Sequence, residues 1–201
     1  MLAAFSPAVR AWFGASFPEP TAAQAQGWPP ITAGAHTLIC APTGSGKTLA
    51  AFLWGIDKLA REPERLGQGV RIVYISPLKA LAADIRRNLT TPIEGMGLPI
   101  RVEDRTGDTS YSRRQRQRAD PPHILLTTPE SLALLLSYED APRIFAGLSR
   151  VVVDEIQCPI TVRVSEDERT GNIAVNADAV IRIVDGDRDG LRDDGARPEH
   201  G

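Results

Sequence analysis

The chain has 201 residues, of which 42% are hydrophobic and 24% charged, and its net charge is −2. That length allows one ordinary α/β domain with an appendage, and the small net charge excludes an overall basic field, so any nucleic-acid partner must be held by a local surface. Two cysteines, Cys40 and Cys158, exclude a disulfide framework and suit a reducing cytosol. No apolar run reaches the ~18 residues of a membrane span, and the first residues, "MLAAFSPAVRAWF", lack the basic start of a signal peptide. The expected location is therefore cytoplasmic, with no membrane partner.

The first clear element is a strand at "HTLIC" (36–40), whose Cys40 is expected to be a small core residue. A helix follows over 46–60, where Leu49, Phe52, Leu53, Ile56 and Leu59 share one face. "VRIVYIS" (70–76) is a second strand, with a helix over roughly 78–89. "IRVEDRT" (100–106) is a third, followed by a polar helix around 110–119. "HILLTT" (123–128) is a fourth, and "PESLALLLSY" (129–138) is its helix, with Pro129 suited to the first turn. "RVVVDE" (150–155) is a fifth. Apolar runs of this kind are buried on both faces, and the helices between them make right-handed crossovers. The expected architecture is α/β, a parallel sheet sandwiched between helices, with ligands at the carboxyl ends of the strands.

After residue 157 the composition changes. Acidic residues outnumber arginines, lysine is absent, and Trp, Phe, Tyr, Leu and Met nearly vanish, Leu191 being the exception. The segments 160–164 and 179–184 suggest a β-hairpin turning through "SEDERTGN", followed by an Asp/Gly/Arg-rich end that reads as disordered. The expected organisation is a domain over 1–157 and a divergent tail over 158–201, the product of a frameshift or gene truncation. A sheet left uncovered at that point predicts marginal solubility.

"APTGSGKT" (41–48) follows a strand and opens a helix, as a phosphate-binding loop does. Gly44 and Gly46 free the backbone so that successive N–H groups from Thr43 through Ser45 and beyond can point at phosphate oxygens. Lys47 can reach the β/γ-phosphates, and the Thr48 hydroxyl can ligate Mg²⁺. Asp154 and Glu155 end the fifth strand. Triphosphate hydrolysis needs one carboxylate to hold the metal and a polar group to orient the attacking water, which gives Asp154 and Glu155 those two roles. Upstream, the Gln24 amide in "FPEPTAAQ" (17–24) can donate and accept toward adenine, and Phe17 can pack on the base. The run "SRRQRQRAD" (112–120) is densely basic and reads better as a solvated helix face than as a phosphate contact.

In order, the chain carries "PTAAQ", "APTGSGKT", "SPLKALAADI", "TGDTS", "TTPESL" and "VVVDEI". These resemble the successive motifs of superfamily 2 DEAD/DEAH-box helicases, and their wording is closest to the Lhr-type (large helicase-related) members. The resemblance covers about residues 10–157 and implies a P-loop RecA-like lobe that binds ATP and Mg²⁺ and meets a single strand of DNA or RNA. It implies adenine recognition by Thr21 and Gln24, triphosphate binding by Thr43 to Thr48, metal binding by Thr48 and Asp154, and catalysis by Lys47 and Glu155. Along the nucleic-acid strand it places Pro77, Leu78, Lys79, Gly107, Asp108, Thr128, Pro129 and Glu130. A transporter ATPase or kinase is disfavoured, because "SPLKAL" and "TTPESL" have no role there. The family pattern has His where this chain has Gln157, then a second RecA-like lobe with its arginine finger, and neither lobe nor finger is found in these residues. The expected function is the ATP-binding lobe of a nucleic-acid-dependent ATPase or helicase in repair or processing. Its alternative is a truncated ATP- and nucleic-acid-binding module with negligible hydrolysis.

Overall fold

The protein is represented by a computed structural model that describes residues 2–67, 69–154 and 179–185. A short 3₁₀ turn, Leu2–Ala4, leads into α1 (Pro7–Ser16) and α2 (Ala22–Thr32). The expected alternation follows: β1 (Thr37–Ala41), α3 (Lys47–Arg61), β2 (Ile72–Ile75), α4 (Lys79–Gly95), β3 (Val102–Arg105), α5 (Tyr111–Ala119), β4 (Ile124–Thr127), α6 (Pro129–Leu136), α7 (Ala141–Phe145) and β5 (Arg150–Asp154). The last strand among the described residues is β6 (Ala179–Asp185).

All six strands form one parallel sheet in the order β1-β6-β5-β2-β4-β3. One face packs Ile31 of α2, Phe52 and Ile56 of α3, and Ile85 and Leu89 of α4 against Ile72, Tyr74, Val152, Ile181 and Ile183. On the other, Leu135, Ile144 and Phe145 of α6 and α7 pack against Val73, Ile75, Leu125, Val151 and Val153. The strands β2, β4 and β5 are buried at every position, as continuous apolar runs in a doubly covered parallel sheet should be.

Two expectations are corrected here. Cys40 is exposed, not a core residue. Its strand, β1, lies at the sheet's edge, and the twofold alternation of side chains puts Leu38 and Cys40 on a face that is left open while Ile39 points into the core. The apolar run 179–184 does not return as one arm of a hairpin. Both edges of β6 are taken, by β1 from Thr37↔Ile181 to Ala41↔Asp185 and by β5 from Arg150↔Ala179 to Asp154↔Ile183. The other expected arm, 160–164, lies outside the described residues, as do Glu155, Gln157 and the chain after 185.

α1 and α2 were not foreseen. They bring Phe5, Val9, Phe13 and Trp28 together with Leu53 in a separate aromatic core. Phe5 and Phe13 both meet the Trp28 ring edge-on, with centroids 5.0 and 5.5 Å away. A buried carboxylate anchors this layer. Asp57 of α3 accepts from the Ser6 backbone N–H at 3.1 and 3.2 Å, and Arg61, one turn on, bridges to it at 2.5 Å while donating to the Ala4 carbonyl at 2.7 Å. Ser6 is also the N-cap of α1, its hydroxyl accepting from the Val9 N–H. Asp57→Ala leaves the Ser6 N–H without this partner, and a half-buried donor so stranded costs about 1–3 kcal/mol. The expected result is a lower urea midpoint with an unchanged m-value.

Candidate nucleotide site and strand-facing surface

The end of β1 runs into the loop 42–46 and then into the N-terminus of α3, whose first N–H groups have no intrahelical acceptor. The loop turns through Gly44 and Gly46, both at positive φ (82° and 80°), a region where a side chain is strained. Lys47 folds back so that its ammonium donates to the Ala41 carbonyl. The Ser45 hydroxyl is buried with no hydrogen-bond partner among the described residues.

Two strands along, Asp154 closes β5. Its register partner on β6 is Ile183, and β6 alone separates it from β1. The cleft above these strand ends has a volume of about 540 Å³. Thr43, Gly44, Gly46, Lys47, Thr48 and Asp154 all line it, and Phe17 and Trp12 form part of its wall. Phe17 is 39% exposed and is steadied by Trp12 and Phe13, at centroid distances of 5.8 and 5.0 Å. The donor set suits a metal–triphosphate: a hydroxyl and a carboxylate for a hard cation, an ammonium and helix N-terminus for the phosphates, and an orphaned Ser45 hydroxyl with hydrogen-bonding capacity to spare.

Thr21 and Gln24 sit against this loop. They form a reciprocal cap at the start of α2, with the Thr21 N–H donating to Gln24 Oε1 (3.1 Å) and the Gln24 N–H to Thr21 Oγ1 (3.3 Å). The same side chains then reach the phosphate loop, Thr21 Oγ1 donating to the Ser45 carbonyl at 2.8 Å and Gln24 Nε2 to the Gly46 carbonyl at 3.4 Å. Gln24 is buried, so its amide is engaged with the loop backbone.

The residues expected along a strand lie at the carboxyl ends of β2, β3 and β4. Those ends are laced together: the Ser76 N–H donates to the Thr127 carbonyl and Thr127 Oγ1 to the Arg105 carbonyl. Pro77 and Leu78 lead into α4, and Leu78 is half exposed. Lys79 holds Asp108 at 3.0 Å across the gap from Gly107. Thr128 caps α6 through Ser131, Pro129 takes the first turn, and Glu130 follows. The Glu130 carboxyl is held below its usual range by its own backbone N–H and the Thr128 hydroxyl, with a smaller contribution from Lys79. Three separate segments therefore converge on one exposed shelf.

The basic run belongs to α5, and its arginines are used internally. Arg113 pairs with Asp104 (3.0 Å), Arg116 with Glu103 (2.5 Å) and Arg118 with Asp140 (2.8 Å). Arg114 donates to the carbonyls of Thr106 and Gly107 and so buttresses the shelf from behind. One residue that bonds to the lining of the cleft was missed from the sequence. Tyr74, buried in β2, donates its phenol proton to Asp154 Oδ2 at 2.6 Å.

A parallel α/β sheet with a phosphate loop at one strand end and an aspartate at the end of a strand two places away defines a RecA-like nucleotide-binding lobe. A family model for the DEAD/DEAH box helicase matches residues 21–172, and the chain belongs to that family. The chain is 43% identical over 194 residues to the Lhr helicase/probable uracil glycosylase of Mycolicibacterium smegmatis, covering 92% of this chain and 12% of that protein. It is also 43% identical over 160 residues to the ATP-dependent helicase Lhr-Core of Methanocaldococcus jannaschii, covering 74% and 19%. The structure of Mycobacterium smegmatis helicase Lhr bound to ssDNA and AMP-PNP superposes with a TM-score of 0.75 at 40% identity, over 90% of this chain and 25% of that one. The DEAD-box helicase Mss116 bound to ssRNA and UDP-BeF, at 20% identity and TM-score 0.71, shares the fold. The chain thus spans 12–19% of the length of the curated relatives it matches. Among the described residues no helix is long and apolar enough to cross a membrane.

Proposed function

We propose that this chain is the ATP-binding lobe of a nucleic-acid-dependent ATPase of the Lhr helicase type, extending through β6. The carrying observation is the single cleft that Lys47, Thr48 and Asp154 share. Thr48 and Asp154 would hold Mg²⁺, which when bound would supply charge neutralisation to the triphosphate. Lys47 exchanges the Ala41 carbonyl for phosphate oxygens, and the loop N–H groups hold the remaining charge. Glu155, next in sequence to Asp154, takes the proton of the attacking water. Phe17 packs on the base, and Thr21 and Gln24 couple adenine recognition to the loop they already grip.

The shelf of Pro77, Leu78, Lys79, Gly107, Asp108, Thr128, Pro129 and Glu130 would take a single strand by its phosphates. The relative solved with ssDNA and AMP-PNP supports both ligands. Backbone groups and small polar side chains at strand ends grip phosphates without reading bases, which suits a chain whose net charge is −2.

A second reading is favoured by the lining of the cleft, which among the described residues includes no arginine. Here the lobe binds Mg·ATP and the strand with negligible turnover, because an arginine that meets the transferring phosphoryl group is worth about 10³–10⁵ in rate in such enzymes. ATP turnover measured with and without single-stranded DNA or RNA separates the two. On the first reading the strand raises turnover, and Glu155→Gln lowers it by at least about 10²-fold, the usual contribution of a general base. Binding of a nonhydrolysable analogue with no turnover assigns the second.

A further inference from the structure

We infer that Tyr74 is a positioning residue for the metal-binding carboxylate, a role that rests on the ATP-site reading above. Tyr74 sits in the middle of β2, in register with Val152 of β5. Asp154 is two residues further along β5, and side chains two apart on a strand share a face. The phenol therefore reaches diagonally along that face to Asp154 Oδ2, at 2.6 Å, in the range of a hydroxyl donating to a charged oxygen.

The ring has one place to go. It is 1% exposed and lies against Phe52 with centroids 5.8 Å apart. Phe52 belongs to α3, the helix that opens with Lys47 and Thr48. One packed unit thus fixes both the helix that presents the Thr48 hydroxyl and the phenol that holds the aspartate. A phenylalanine would fill the same space with no polar group to satisfy. A buried tyrosine needs a partner for its hydroxyl, and here that partner is the carboxylate on the cleft.

A carboxylate at a strand end has two side-chain torsions to order when it takes up a metal. Holding Oδ2 removes that freedom in advance and sets the orientation from which the group meets a cation shared with Thr48. Groups that orient a metal ligand in this way are worth about 10–100-fold in metal affinity.

The test is Tyr74→Phe in the 201-residue chain, read by the binding of a fluorescent, nonhydrolysable ATP analogue as Mg²⁺ is titrated from zero. The expected result is an unchanged affinity without Mg²⁺, an unchanged melting temperature within a few degrees, and a Mg²⁺ midpoint raised about tenfold. An unchanged midpoint overturns the inference. So does an equal loss of affinity with and without Mg²⁺, which would mark the bond as a strand-to-strand tie alone. Should the unaltered chain itself show no Mg²⁺-dependent binding, the ATP-site reading fails, an outcome distinct from failure in the variant only.

Discussion

Gly46→Ala is expected to weaken Mg·ATP binding by about 10–100-fold while lowering the melting temperature by only a few degrees. Two penalties meet at this position. The backbone stands at φ 80°, where an L side chain costs about 1–2 kcal/mol. The new Cβ would also lie 2.6 Å from Gln24 Nε2 and 3.3 Å from Thr21 Oγ1. The amide end of Gln24 is mobile enough to yield, so the overlap itself is cheap. What it breaks is the bond from Nε2 to the Gly46 carbonyl, a further 0.5–1.5 kcal/mol or so. The loop is half exposed and carries little of the core, so it relaxes locally rather than unfolding the sheet. The relaxed loop no longer presents its N–H groups to a phosphate, and the cost therefore appears in binding, where each ~1.4 kcal/mol is tenfold. Gly44→Ala isolates the backbone share. Its φ is 82°, yet its Cβ would meet nothing within 4 Å, so its loss should be several-fold smaller. Equal losses for the two variants would remove Gln24 from the account.

The contrast between these glycines shows what could be read in advance. "GSGKT" and Asp154 were readable as partners because each residue type answers a local chemical need of a metal–triphosphate, and the fold does bring Lys47, Thr48 and Asp154 to one cleft. The strands β2, β4 and β5 were equally legible, since an apolar run buried on both faces is a local pattern. What stayed hidden depends on pairings between distant segments. Cys40 looks like core until β1 is known to be the edge strand. Tyr74 reads as one more large side chain in an apolar run until β5 is laid beside β2 and its hydroxyl finds Asp154. α2 carries Pro29 and Pro30 in its interior, a residue type that ordinarily ends a helix. Its signal was nonetheless present: Thr21 followed three residues later by Gln24 is a capping pair. The arginines of α5 show the reverse case, a conspicuous local pattern that the fold spends on Glu103, Asp104 and Asp140.

The largest effect on stability is expected from β6. A chain ending at residue 157 should lose both cooperative melting and Mg·ATP binding. In the sheet, β1 leads into the loop 42–46 and β5 ends at Asp154, and β6 lies between them, paired to both. Each makes five residue pairs with that strand. Without it, β1 has no strand neighbour among the described residues, and Ile39, Phe52 and Val152 lose the cover of Ile181 and Ile183. Each isoleucine buries about 1.5–3 kcal/mol of apolar surface, and the exposed edges of β1 and β5 add unpaired backbone groups. The sum is a large part of the 5–15 kcal/mol that holds a typical domain. Ile181→Asp in the full chain makes the same point without truncation. That side chain is 0% exposed within the apolar cluster, and an unpaired carboxylate there costs several kcal/mol. Leu38→Ser is the matched control one strand away, since Leu38 is 63% exposed on the open face and should change stability by less than about 0.5 kcal/mol. Thermal melts and analogue binding on the three chains decide the domain boundary. If the chain ending at 157 melts cooperatively at the temperature of the full chain and still binds the analogue, the lobe ends with β5, and the sequence's own boundary stands. If it fails on both counts while Leu38→Ser behaves as the parent, the strand at 179–185 is part of the lobe, because both β1 and β5 pair with it along its length.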